Sequence, residues 1–500
     1  MPHGFILAVD QGTTNTKALL VDRNGRAVFQ ASEGLGLVYP QAGFVEQDAN
    51  AIWDSVRKVM GECVAHARSV GAEVEGIAIS NQRETAVAWR RESSPVPFGN
   101  AVSWQCRRST EVCERLAAQH ELIRGVTGLP VDPLATAGKW TWMLEHDAAL
   151  RAAVESGEAC LGNVDAWLLA NLANGVVHAT DHSNASRTAL FDLAGLEWSE
   201  TMLGLFGVPL SVLPEIRASA SVFDTCTAID GLEGVPIVAM IGDSHAALFG
   251  HGSYAAGAVK ATYGTGSSLM MLADALPAAS GALARTVAWS SSDGMRYALE
   301  GNIAMTGSAV AWVGEFLGLR EPVEDAVALA ASVSDAAGLM FVPGMAGLGA
   351  PYWDSKARGL IGNLERSHKA AHLARAAVDA IAFQVADVLF AMEDASGIAI
   401  PELRVDGGAT RNNSLMQFQA DVLQRPVVRS SNELLSALGA AWLGGLTLGW
   451  WSSLDEVEKL AQGGDRFEPA MTRGLAAERY AEWKLAVARA QLQNVAEVAA

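Results

Sequence analysis

The sequence predicts an α/β protein built as two related domains with a cleft between them. Three observations lead there. Strand-like apolar runs alternate with helical patterns along the whole chain. A strand, Gly/Thr turn, strand pattern at Phe5–Asp22 returns at Val259–Leu272. The chain has 500 residues, and a single core stops growing at about 250–300, so two domains are expected. The division is placed at 1–247 and 248–500.

The first element is the hairpin. Phe5-Ile-Leu-Ala-Val-Asp10 and Lys17-Ala-Leu-Leu-Val-Asp22 flank the polar turn Gln11-Gly12-Thr13-Thr14-Asn15-Thr16. Gly12 lets the backbone approach a bulky anion. The hydroxyls of Thr13 and Thr14 and the turn N–H groups can donate to phosphate oxygens, and Lys17 adds charge. Asp10, a carboxylate at a strand end, can hold Mg²⁺ through water. Taken alone, the segment also fits an ordinary hairpin with a polar tip.

Helical periodicity follows at Ala51–Val70, with strands at Val74–Ser80 and Ala86–Arg90. Between these strands lies Asn81-Gln82-Arg83-Glu84-Thr85. An Arg and a Glu at a strand end can grip vicinal hydroxyls, one as donor and one as acceptor, or form a surface ion pair. Trp104 can wall a small polar pocket or sit in the core. Helices are expected at Ser109–Gln119 and Gly138–His146, and a strand at Ile237–Ile241. That strand runs into Gly242-Asp243-Ser244-His245. An Asp there can accept the proton of a substrate hydroxyl or cap the next helix. His245 reads as structural, since it points away from its neighbour on a helix.

The second half repeats the grammar. Tyr263-Gly264-Thr265-Gly266-Ser267-Ser268 is again a Gly/Thr turn between strands. Later, the strand ending at Asp406 leads through Gly407-Gly408 and Asn412 into a helix at Ser414–Leu423. The paired glycines offer flat backbone against which adenine or ribose can lie, or make a simple strand-to-helix turn.

The formal net charge of −19 argues against nucleic acid or an anionic membrane as partner, because both need a basic face. The five cysteines are scattered, odd in number and without a CxxC pair, which fits reduced thiols in a cytoplasmic protein with no zinc site. Met1-Pro-His-Gly lacks a charged leader and cleavage site. Leu434–Trp451 is a run without charge near the lower length of a membrane span. Its Ala and Gly content favours a tightly packed buried helix.

In order, the motifs are DQGTT, NQRET, WQCRR, KWTWMLEH, GDSHAALFG, YGTG, ALEG, GLGAPYWD, ARGLIGNLERSH and VDGGATRNN. Together they resemble the FGGY carbohydrate kinases, and within them the glycerol kinase branch. The resemblance runs from residue 5 to about 451; residues 452–500 carry no matching motif. It implies two actin-like (ribonuclease-H-like) domains closing on ATP, Mg²⁺ and a small polyol or ketose, in a homo-oligomer, dimer or tetramer. By the same resemblance Asp10, Gly12, Thr13, Thr14 and Lys17 form the first phosphate loop, and Thr265 and Gly266 the second. Gly307, Gly408 and Asn412 match nucleotide contacts. Asp243 matches the catalytic base, Arg83 and Glu84 the groups holding substrate hydroxyls, and Trp104 an aromatic wall.

Three positions depart from the glycerol kinase pattern. Leu134 stands where those enzymes have Tyr, Ser244 where they have a Gln that reaches glycerol, and Ser268 where they have Phe. The losses are mostly toward smaller side chains, so the expected acceptor is larger than glycerol, a four- or five-carbon polyol or ketose. A glycerol kinase with an altered pocket, or a non-catalytic actin-like ATPase, are the competing expectations.

Overall fold

The computed structural model describes residues 4–461 and 463–492. Met1–His3, part of the segment read above as carrying no leader, lie outside the described residues. Two mixed sheets organise the chain. The first is made of β1 (Gly4–Gln11), β2 (Asn15–Val21), β3 (Ala27–Gly34), β4 (Glu73–Asn81), β5 (Asp224–Thr225) and β6 (Pro236–Gly242), in the order β5-β6-β4-β1-β2-β3. The second is made of β7 (Val259–Tyr263), β8 (Ser267–Ala273), β9 (Ala284–Ser291), β10 (Gly294–Ile303), β11 (Leu403–Asp406), β12 (Val427–Arg429) and β13 (Asp465–Phe467), in the order β9-β10-β8-β7-β11-β12-β13.

The expected duplication is present as topology. In the first sheet β1, β2 and β3 form an antiparallel meander, and β4 and then β6 add parallel beside β1. In the second, β7, β8 and β10 form the meander, and β11 and β12 add parallel beside β7. The central strands are covered on both faces, so they read as unbroken apolar runs: Ile6, Leu7, Ala8 and Val9 are all fully buried.

Several helices bear on the site or on the joint between halves: α1 (Ala49–Ser69), α2 (Thr110–Arg115), α3 (His120–Thr127), α4 (Thr136–His146), α5 (Asp243–Gly250), α6 (Gly307–Phe316), α7 (Ala370–Ser396), α8 (Asn413–Leu423) and α9 (Leu435–Thr447). Helix α1 starts where Asp48 caps it, accepting from the N–H groups of Asn50 and Ala51. It buries Ile52, Val56, Val59, Met60 and Cys63, an apolar stripe at helical spacing. The single helix expected at Ser109–Gln119 is broken. α2 stops at Arg115, a 3₁₀ turn covers Ala117–Gln119, and α3 begins afresh at His120. None of the residues in that turn is buried, so no apolar face holds the segment in α-helical phase.

α5 runs across residue 247, and the passage to the second half is made at 251–258. α9 belongs by sequence to the second half but packs on β1, β4 and β6 of the first sheet and along α5. The charge-free run Leu434–Trp451 is therefore mostly a buried helix of 13 residues. Among the described residues no helix is long and apolar enough to cross a membrane. α5 and α9 meet backbone to backbone: a Cβ on Gly439 would lie 1.9 Å from the Ala246 carbonyl oxygen, and one on Gly250 2.6 Å from that of Leu435. Around this pair, Ile6, Ala8 and Ile241 from the first sheet share one apolar cluster with Met270, Leu272 and Ala298 from the second. Cys63, Cys106, Cys160 and Cys226 are buried, Cys113 is half-buried, and all are free thiols.

Candidate active site

The chemistry-bearing residues gather at the carboxyl ends of the parallel strands in both sheets, where strands hand over to turns and helices. Asp10 lies at the end of β1, Arg83 and Glu84 just past β4, and Asp243 just past β6. The turn Gly264–Gly266 follows β7, and Gly407-Gly408 follows β11.

The first turn is held from behind. Gly12 N–H donates to the Asn15 carbonyl at 3.0 Å. Gln47 Nε2 donates to the Thr13 carbonyl at 2.7 Å, and Gln82 Nε2 bridges Gln11 and Gln47 at 3.0 and 2.9 Å. Trp104 is neither core nor a bare wall. It is 37% exposed, and its indole N–H donates to Thr13 Oγ1 at 2.8 Å. Thr14 is exposed, and half-buried Lys17 sits opposite Asp10 in the β1–β2 register.

Asp10 accepts from Ser80 Oγ at 3.1 Å. Burial, and next the nearby Asp243 carboxylate, push its pKa up to about 6 against the pull of Lys17 and Ser80. Among the described residues no group of three or more His, Cys, Asp or Glu side chains forms a metal cage. A hard cation taking one or two carboxylates, with its remaining oxygens from water and phosphate, is what Mg²⁺ prefers. The Asp10 carboxylate, raised in pKa beside Asp243, fits that donor set.

The second turn is built with the start of α6 and the Gly-Gly turn as one surface. Gly307 N–H donates to the Gly264 carbonyl at 3.0 Å, and Ser308 N–H to that of Thr265 at 3.1 Å. A Cβ on Gly266 would lie 2.5 Å from the Ile303 oxygen, and one on Gly307 2.6 Å from the Gly264 oxygen. Gly407 has φ 97° and would bring a Cβ within 2.4 Å of the Tyr263 oxygen, whereas the space in front of Gly408 is open. Asn412 caps α8, accepting from Ser414 and Leu415 N–H, which commits its amide oxygen to the helix. Thr265, Gly266, Gly307 and Gly408 thus come together in the second half. Gly12, Thr13 and Thr14 belong to the first.

Arg83 and Glu84 do not pair with each other, and neither forms a surface ion pair. Arg83 Nε donates to Asp243 Oδ1 at 3.2 Å and its Nη1 to Glu300 Oε1 at 2.7 Å. Glu84, buried and in the left-handed region at φ 59°, accepts from Arg187 Nε at 2.6 Å. Arg187 Nη1 also lies 2.7 Å from Glu300 Oε2. The result is an alternating chain, Glu84–Arg187–Glu300–Arg83–Asp243. Burial would raise the Glu300 pKa, but Arg187 and Arg83 outweigh it and hold the carboxyl well below its ordinary value. Burial raises the Asp243 pKa, with Arg83 opposing and Glu84 adding to the rise. Asp243 Oδ1 also takes the Ser244 N–H at 2.6 Å, and its side chain remains 37% exposed.

Ser244 and Ser268, separated by 24 positions in sequence, have their hydroxyls 3.0 Å apart. Lys260 Nζ donates to Ser244 Oγ at 2.6 Å, and Ser268 Oγ donates to Glu300 at 3.3 Å. Leu134 is half-buried, and Lys139 Nζ donates to its carbonyl at 2.5 Å. Burial lowers the pKa of both Lys139 and Lys260 to about 8. His245 is fully buried against Thr286 Oγ1 at 3.2 Å, in line with a structural role.

Sequence reasoning missed Gln47 and Arg187 as members of this cluster, and met Lys139, Lys260 and Glu300 only inside quoted motifs. A signal existed for two of them. Lys260 is the single charge of its strand, and Glu300 lies in the buried stretch Ala298–Gly301 of its own; a buried charge survives only with partners.

Residues 5–250 match the N-terminal domain, and residues 259–448 the C-terminal domain, of the FGGY family of carbohydrate kinases. The chain is 47% identical over 494 residues, 98% of each chain, to a protein named apulose kinase from Pectobacterium atrosepticum. It is 45% identical over 489 residues to a glycerol kinase of a Geobacter species, covering 97% of this chain and 98% of that one. Among solved structures it is similar to Plasmodium falciparum glycerol kinase with ADP, at TM-score 0.92, 30% identity and 98% coverage of both chains. A xylulose kinase from Rhodospirillum rubrum superposes at TM-score 0.85 with 25% identity, over 98% of this chain and 99% of that one.

Proposed function

The chain belongs to the FGGY family of carbohydrate kinases and is an ATP-dependent carbohydrate kinase; on that premise we propose which acceptor it takes and which residues do the work. The acceptor is a small polyol or ketose larger than glycerol, of roughly four or five carbons, phosphorylated on a terminal hydroxyl. One observation carries this. Ser244 and Ser268 stand side by side on one wall, their hydroxyls 3.0 Å apart, at positions where the glycerol kinase pattern has Gln and Phe. Two long side chains are replaced at the same spot, which leaves room for added carbon atoms with hydroxyls to meet the serines. The similarity to a protein named apulose kinase, at 47% identity, supports an acceptor other than glycerol. The glycerol kinase relatives keep glycerol as the second reading.

The reaction needs a place for the acceptor proton and an ordered γ-phosphoryl group. Asp243 takes the hydroxyl proton as the acceptor oxygen bonds to the γ-phosphorus and the bond to the β-phosphate oxygen breaks. Its raised pKa makes it a stronger base than an ordinary carboxylate. Arg83 and Glu84 hold acceptor hydroxyls as donor and acceptor. The turns at Gly12–Thr14 and Thr265–Gly266 present N–H and hydroxyl donors to the phosphates, and Gly307, Gly408 and Asn412 border the nucleoside. Asp10 is the residue that would hold Mg²⁺, whose charge would offset that of the phosphates.

A panel of polyols and ketoses assayed with ATP tests the acceptor. A four- or five-carbon compound is expected to give the highest kcat/KM, and glycerol in first place overturns the assignment. Asp243→Asn should fold normally and lose about 10²–10⁴-fold in kcat. Near-normal turnover would remove Asp243 from the role of base.

A further inference from the structure

Glu300 has a position unlike any other acidic residue in the cleft. It lies on β10, in the second sheet, and its side chain is fully buried. Its two carboxylate oxygens meet two arginines of the first half, Arg83 Nη1 and Arg187 Nη1, each at 2.7 Å. Those arginines are themselves almost completely buried, and each has a second carboxylate partner. Arg83 reaches Asp243, and Arg187 reaches Glu84. The same Glu300 oxygen that takes Arg83 also accepts from Ser268, whose hydroxyl touches that of Ser244. Four of the residues assigned above to the acceptor, Arg83, Glu84, Ser268 and Asp243, are thereby attached to one buried carboxylate, directly or through one intermediate side chain.

The guanidinium groups cannot choose their own orientation here. A planar fork with fixed N–H directions is aimed by its strongest acceptor, and a buried ionised carboxylate is the strongest present. Arg83 is aimed by its hydrogen bond to Glu300 and presents its Nε–H to Asp243. Arg187 donates from Nε to Glu84 and is drawn by charge to the other Glu300 oxygen at 2.7 Å.

We propose that Glu300 is the positioning residue of the acceptor pocket: a strut from the second sheet that aims Arg83 and Arg187, and through them Asp243 and Glu84, without touching the acceptor. The inference rests on the acceptor roles proposed for Arg83, Glu84 and Asp243. It adds a residue from the other half of the molecule that sets their geometry. Pocket shape is then a property of how the two sheets meet, since moving β10 against β4 moves both arginines.

The test compares Glu300→Gln, Glu300→Asp and Arg187→Lys with the unaltered protein. It uses the acceptor with the highest kcat/KM in the panel and ATP varied separately. Glu300→Gln keeps the shape and removes the charge; Glu300→Asp keeps the charge and is too short to reach both arginines. Both are expected to raise the acceptor KM about tenfold or more while the ATP KM stays within about twofold. Arg187→Lys, which replaces a fork by a single point of charge, should shift the acceptor KM in the same direction by less, and it keeps the question open to experiment should Glu300→Gln fail to fold. An acceptor KM unchanged in folded Glu300 variants, or acceptor and ATP KM rising together, overturns the proposal. A crystal structure of Glu300→Gln reads the same point without any acceptor. Arg83 and Arg187 turned away from their present directions supports the strut, and both arginines unmoved overturns it. Failure of the acceptor roles themselves appears separately, as full activity in Asp243→Asn.

Discussion

Asp10 lies close enough to Asp243 that the charge of Asp243 makes ionisation of Asp10 costlier. Burial is the larger part of the rise at Asp10, to about 6, and at Asp243 as well. Two outcomes follow from the direction of these shifts. Asp243 in its proposed role as base works only when ionised, so kcat/KM for the acceptor should fall on acidification with a limb above the ordinary carboxylate range of about 3.9–4.3. A pH–rate profile checks this, and a limb at or below that range contradicts it. The second outcome concerns stability without magnesium. The folded state binds a proton at Asp10 more readily than the unfolded chain does, so stability rises as pH falls through the interval from about 6 to the unfolded value of 3.8. Asp10→Asn should therefore raise the thermal midpoint at pH 7, and the gain should vanish near pH 4. Melting curves at the two pH values decide it, and an unchanged midpoint at pH 7 rules it out.

At the scale of single elements, the turns proposed to hold the nucleotide have backbones that touch. Gly307 opens α6 directly against the Gly264 carbonyl, with 2.6 Å between that oxygen and the site of a Cβ. Gly307→Ala pushes the Thr265–Gly266 turn away from α6. It should raise the ATP KM about tenfold or more with little change in acceptor KM; parallel changes in both would show that the turn does not serve the nucleotide. Asn412 acts as a cap on α8. Asn412→Ala should cost about 0.5–2 kcal/mol in urea unfolding, and no loss of stability would contradict the capping geometry. The run at Ser109–Gln119 shows the opposite case. It has helical composition, but a turn with no buried residue divides it into two short helices.

Over the whole molecule, the two halves are joined by more than the covalent chain. α9 crosses to the first sheet, and α5 and α9 share a backbone contact at Gly439 and Ala246 within an apolar cluster drawn from both sheets. Gly439→Val cannot fit 1.9 Å from a carbonyl oxygen, so it should lower the thermal midpoint of the protein as a whole. Calorimetry in which only the second half is affected, or in which nothing moves, would show that the helix pair is not the joint. Across the same two halves Glu300 meets Arg83 and Arg187, so with the acceptor roles proposed above the tightness of the joint and the order of the pocket belong together.

Much of this was legible in the chain. Apolar runs bounded by Gly and Thr placed the hairpins at β1–β2 and β7–β8, because strand period and turn chemistry are local. The ordered motifs identified the kinase family, and Asp10, Arg83, Glu84 and Asp243, proposed here as site residues, lie at strand ends that the apolar runs marked. Contacts between distant residues were not legible. That Arg83 turns to Glu300 rather than to its neighbour Glu84, that Trp104 bonds to Thr13, and that Ser244 meets Ser268 are matters of which strand lies beside which. The sequence by itself determined the two-sheet fold, through strand and turn patterns, and the kinase family, through the order of its motifs. The tertiary structure decided the pocket, because burial forces each charge to find a partner, and the partners come from strands far apart along the chain.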